Sequence, residues 1–85
     1  MPEEPEFNSH ATLRAYLHRL KESIAQVRHR LEALERAYGQ DTGTIFSRIR
    51  NGELDLTEEF EQWAGEREML RRLVEQQEAL EARLK

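Results

Sequence analysis

The stretch LRAYLHRLKESIAQVRHRLEALERAY, residues 13–38, decides the fold. Its large apolar residues are Leu13, Leu17, Leu20, Ile24, Val27, Leu31, Leu34 and Tyr38, spaced by alternating steps of four and three. Such spacing keeps one stripe of a helix facing one neighbour. Leu17, Ile24, Leu31 and Tyr38 fill one core position of a heptad, and Leu13, Leu20, Val27 and Leu34 fill the other. Ser9 is a candidate N-cap and Gly39 a candidate C-cap, so the pattern predicts a helix over about 9–38, roughly 45 Å long.

Upstream of this stretch, residues 1–8 hold both prolines of the chain, Pro2 and Pro5, together with Glu3, Glu4 and Glu6. This segment reads as a flexible acidic tail. Downstream the heptad breaks. Gly39, Gly43 and Gly52 punctuate a segment whose apolar cluster, Ile45, Phe46 and Ile49, predicts a short helix over about 44–50. Asn51-Gly52 stops it, because both residue types tolerate the left-handed conformation.

Asp55 and Thr57 then compete to cap a third helix over about 57–84. Glu58, Glu59 and Glu61 load its first turn with the charge that the helix dipole favours. Its seam runs through Trp63, Glu66, Leu70, Leu73, Gln77, Leu80 and Leu84, and Phe60, Met69 and Val74 widen the apolar face. Glu66 and Gln77 interrupt that seam, a device that commonly fixes register at some cost in stability.

Residues 9–38 hold six Arg and Lys against three Glu, and residues 57–84 hold eight Glu against four Arg. Opposite charge and the 18-residue connection over 39–56 predict an all-α fold. One domain over 9–85 forms a long, coiled-coil-like antiparallel hairpin, with the middle helix at the bend where Tyr38, Phe46, Phe60 and Trp63 converge. A two-helix layer is expected to leave much of each apolar face wet, so either two hairpins pair as a four-helix bundle, in a homodimer or tetramer, or a different protein covers the exposed face. The expected interface comprises Leu17, Leu20, Ile24, Val27, Leu31, Leu34, Tyr38, Phe46, Phe60, Trp63, Leu70, Leu73, Gln77 and Leu80. Arg14, Lys21 and Arg28 recur every seven residues along one edge and are expected to pair with acids of a neighbouring helix.

Several function classes lose their footing on the same residues. A chain of 85 residues with no cysteine offers no thiolate nucleophile, thiolate metal site or disulfide. His10, His18 and His29 include no pair one turn apart, so no metal site is expected, and His18 with Glu22 reads as a helix-surface contact. The acids around Glu58, Glu59, Glu61, Glu66 and Glu68 lack a matching set on the first helix for a magnesium site. No serine or threonine sits on a nucleophile turn. The chain is expected to be a non-enzyme without cofactor or small-molecule substrate. With no apolar run near 18 residues and no basic leader, a cytoplasmic location without membrane attachment is expected.

Residues 34–52 carry a competing signal. Gly39 at a turn, followed by Ile45 and Ile49 on one face, has the form of a helix-turn-helix that would offer Thr44, Ser47, Arg48 and Arg50 to DNA. Glu35 stands where that motif wants a small residue, and a net charge of −4 opposes a polyanion. A purely structural coiled-coil adaptor is the other alternative.

Tyr38-Gly39, Phe46, Gly52-Glu53-Leu54, Phe60 and Trp63-Ala64 together resemble small helical proteins of archaea, cyanobacteria and other thermophile-rich groups. Many of those are regarded as antitoxins of prokaryotic toxin–antitoxin pairs. The resemblance covers about residues 31–73, and the long first and third helices depart from it. It implies a protein that dimerises and binds a partner protein, such as a toxin, by laying an amphipathic helix on a complementary groove. Tyr38, Phe46, Phe60 and Trp63 are then the anchors, unless these four only close the hairpin's own bend.

Overall fold

The heptad stretch forms one uninterrupted helix, α1 (His10–Tyr38), in a computed structural model that describes residues 10–85. The acidic tail expected over 1–8 and the Ser9 cap lie outside the described residues. Leu13, Leu20, Ile24, Val27, Leu31 and Leu34 are buried along one stripe of α1, and Leu17 is half-buried. The helix ends at Gly39, whose φ of +66° turns the chain away while its N–H still reaches the Glu35 carbonyl at 2.8 Å.

The second helix, α2 (Thr42–Arg50), begins two residues earlier than its apolar cluster suggests. Asp41 provides the reason. Its carboxylate accepts the Thr44 N–H at 2.8 Å and the Thr44 hydroxyl at 3.1 Å, which makes it the N-cap. Gly43 therefore lies within the first turn. At the other end only Gly52 adopts positive φ, at +78°, whereas Asn51 stays at −86°. The N–H groups of Gly52 and Glu53 fold back onto the carbonyls of Ile49 and Arg48, closing the helix end.

Thr57 prevails over Asp55 as the cap of α3 (Glu58–Leu84), its hydroxyl accepting the Phe60 N–H at 3.2 Å. The two long helices then pack antiparallel. Leu13 and Leu20 share a cluster with Leu80, flanked by Leu17, Leu73 and Leu84, while Leu34 shares another with Ile45, Phe46 and Phe60, flanked by Ile49, Leu54 and Trp63. The resulting rod measures 61 × 20 × 18 Å. No strand occurs among the described residues, and no helix there is long and apolar enough to cross a membrane.

The two apolar faces are unequally covered. On α1 the expectation of a wet face does not hold: Val27 keeps 2% of its surface exposed, and its seam neighbours are similarly closed. On α3 only Phe60 and Leu80 are buried, and Trp63, Leu70, Leu73, Val74 and Leu84 remain half-covered. A seam of leucine, isoleucine and valine sits deep between flanking side chains whose long stems roof it over. The apolar stripe of α3 is broader, and α1 covers only part of its width.

Candidate interaction surfaces

At the bend, the four aromatic residues do come together. The rings of Tyr38 and Phe60 lie 5.1 Å apart, and those of Phe46 and Phe60 meet edge to face at 6.4 Å, with Trp63 packed against the same cluster. Phe46 and Phe60 are buried, and Ile45 between them is fully enclosed. Tyr38 is different, with 44% of its surface exposed. Its hydroxyl donates to the Glu59 carboxylate at 2.7 Å, and that bond to an anion raises its pKa above the ordinary tyrosine value.

Glu35 gains a role that sequence spacing did not suggest. Its carboxylate accepts both the N–H of Thr42 at 2.8 Å and the Thr42 hydroxyl at 3.1 Å, tying the last turn of α1 to the first residue of α2. Thr42 is buried, so this pair satisfies a donor that would otherwise be costly to enclose. The residue that fits a helix-turn-helix poorly is thus the clamp that sets the angle of α2. Asp41 and Thr44 do show a local signal, an acceptor three residues before a backbone donor. Glu35 shows none, because its partner is fixed by the direction of the turn.

The candidate DNA-contact residues all have partners within the chain. The Thr44 hydroxyl donates to Asp41, and the Ser47 hydroxyl accepts from Arg50 at 2.9 Å. Arg48 donates to the Gln40 side chain at 2.9 Å and lies 3.7 Å from the Glu53 carboxylate. The bonds of Thr44 and Arg48 tie α2 to its flanking residues, and the Arg50–Ser47 bond lies within it.

Ion pairs cross between the long helices. Arg30 grips Glu66 with two parallel bonds, from Nε at 3.1 Å and from Nη2 at 2.8 Å. Of the expected edge residues, Lys21 faces Glu81 at 3.9 Å, while Arg14 and Arg28 have no acid within ion-pair range among the described residues. Glu66 accounts for the change: placed in the seam of α3, it turns sideways to the nearest guanidinium, which belongs to Arg30. His18 and Glu22 meet on the surface of α1 at 3.3 Å. No group of three or more potential metal ligands clusters among the described residues.

The expected interface residues divide into two sets. Leu20, Ile24, Val27, Leu31, Leu34, Phe46, Phe60 and Leu80 are enclosed by the hairpin itself, whereas Leu17, Trp63, Leu70, Leu73 and Gln77 stay half-covered and Tyr38 is exposed. Beside them, an open groove of about 510 Å³ runs between α2 and α3. Phe46, Ile49 and Ala64 line it, and Arg50, Arg67, Glu68 and Arg71 border it. Arg67 places its guanidinium 5.5 Å from the centre of the Phe46 ring, a cation–π contact. Glu68 is bonded by Arg71 and Arg72, and those bonds hold its carboxyl at about 2. A second open groove, about 440 Å³, exposes the flank of Trp63 beside Gly65 and Met69.

No family model matches the chain, and no curated protein or solved structure is significantly similar to it.

Proposed function

We propose that this chain is a non-catalytic protein-interaction module of the antitoxin type, a helical hairpin that pairs with a second copy and holds a partner protein. The observation that carries the reading is the unequal covering of the two helices. The seam of α1 is closed within the chain from Leu20 to Leu34, but α3 presents a line of half-covered apolar side chains from Trp63 to Leu84, with Met69 46% exposed beside them. The third helix, α2, sits at the bend, and no further helix among the described residues covers that line. Helix-on-helix association is the arrangement that buries such a stripe, and a four-helix bundle does so with two identical chains.

The clustered aromatic residues at the bend support a division of labour. Phe46 and Phe60 hold the bend, while Tyr38 and the accessible flank of Trp63 remain for a partner. Exposed aromatic side chains held by a rigid support lose little entropy on binding, which suits them as anchors. The test has two arms. Light scattering across a hundredfold dilution should return a mass above that of one chain. Co-expression with the product of the neighbouring gene should yield a complex that survives purification, and the neighbour expressed alone should arrest growth that this chain restores. A monomer at every concentration removes the self-association. A neighbour that is harmless and does not co-purify removes the antitoxin reading and leaves a structural adaptor.

A further inference from the structure

We propose that the groove between α2 and α3 receives the acidic N-terminal segment of a second copy of this chain, with Glu3, Glu4 and Glu6 meeting Arg50 and Arg67 and with Phe7 on the apolar floor. This rests on the self-association proposed above and gives it an orientation.

The groove is prepared for an anion next to an apolar group. Its floor is Phe46, Ile49 and Ala64. Of its bordering arginines, Arg71 is already committed to Glu68 and Glu75. Among the described residues Arg50 donates only to the Ser47 hydroxyl, and Arg67 rests on Phe46. Neither has a carboxylate within ion-pair range among the described residues, although Arg67 is near enough to Asp41 to help lower its pKa. The one acid on the border, Glu68, is saturated by Arg71 and Arg72. Two guanidinium groups therefore remain open to an incoming carboxylate over an apolar surface.

Residues 53–61 are acidic and aromatic too, but they form the turn and start of α3 with Phe60 buried in the bend, which leaves the N-terminal segment as the complementary chemistry. Residues 2–7, Pro-Glu-Glu-Pro-Glu-Phe, combine three carboxylates with a phenyl ring and carry no basic side chain.

The chain cannot serve its own groove. The Arg30–Glu66 pair shows that α3 near residue 66 lies level with α1 near residue 30. From His10 to that level is 20 residues of helix, or about 30 Å. Phe7 lies three residues before His10 and reaches at most about 11 Å, and the backbone of Glu3, seven residues before it, reaches at most about 25 Å. In an antiparallel dimer the His10 end of one hairpin lies beside the bend of its partner, so that each segment meets the other chain's groove.

Two charge-reversed full-length chains test this. One carries Glu3→Arg, Glu4→Arg and Glu6→Arg, and the other carries Arg50→Glu and Arg67→Glu. Sedimentation across a hundredfold dilution should show each alone dissociating at concentrations about tenfold or more above wild type, while an equimolar mixture recovers wild-type association. Recovery is expected because the mixed dimer pairs opposite charges in both grooves. Helical content by circular dichroism should match wild type in both variants. Wild-type-like association of both variants, or a mixture that fails to recover, overturns the proposal while leaving self-association intact. Weakening by the groove substitutions alone also overturns it, since another part of the second copy then fills the groove. A wild-type chain that is monomeric throughout removes the self-association and this proposal together.

Discussion

Ile45→Ala probes whether α2 is a structural member of the bend or a loosely attached turn. Ile45 is the most enclosed side chain among the described residues, with 0% of its surface exposed among Leu34, Phe46 and Phe60. Truncation removes three carbon atoms and leaves a cavity, for which isoleucine-to-alanine changes in cores cost about 2–5 kcal/mol. Two features place this site near the middle of that range. Alanine is the better helix former by roughly 0.4 kcal/mol, and a helix of nine residues can shift to fill part of the cavity. About 3 kcal/mol is expected, against a total stability of about 4–12 kcal/mol for a chain of this size. Urea denaturation followed by circular dichroism, at one fixed protein concentration so that association does not vary, reads it directly. The thermal midpoint should fall by about 12–24 °C. Ile45→Val, which removes one methylene, should cost only about 0.5–1.5 kcal/mol. A loss below about 1 kcal/mol for the alanine variant would refute the reasoning, since α2 would then contribute no core.

Three further outcomes are expected. A double-mutant cycle on Arg30 and Glu66 should give a coupling of about 0.5–1 kcal/mol, high for a partly exposed pair because two bonds act together, and shrinking with added salt; zero coupling would mean that the pair is incidental. Glu35→Ala should cost about 1–2 kcal/mol by orphaning the buried Thr42 donors, and hydrogen exchange should show α2 loosened more than α1; uniform loosening would deny the clamp. Glu68 has its folded-state pKa lowered to about 2 by hydrogen bonds from Arg71, so its contribution is complete above its ordinary value of about 4.5 and is lost as the pH falls from there toward 2. Asp41, lowered by the Thr44 N–H, acts in the same direction. Carboxyl titration by nuclear magnetic resonance checks this, and an ordinary glutamate midpoint for Glu68 would contradict it.

The sequence by itself determined the features that depend on neighbours along the chain. Steps of four and three from Leu13 to Tyr38 can be satisfied only by a helix with a single stripe, and Gly39, Gly52 and Thr57 mark turns and caps through their local backbone chemistry. The opposite charge of the long helices and the connection over 39–56 gave the hairpin, and the aromatic residues near its bend had nowhere else to meet. Only the tertiary structure decided which side chains across the hairpin find each other. Arg30, not the seven-residue edge of Arg14, Lys21 and Arg28, holds Glu66. Glu35 reaches back to Thr42, and Arg67 settles over Phe46 to leave an arginine-bordered groove. The reason is geometric. Periodicity fixes the face on which a residue lies, but a long charged side chain sweeps several ångströms around that position. Its partner is chosen by the stagger and angle of the neighbouring helix, which are set when the core packs.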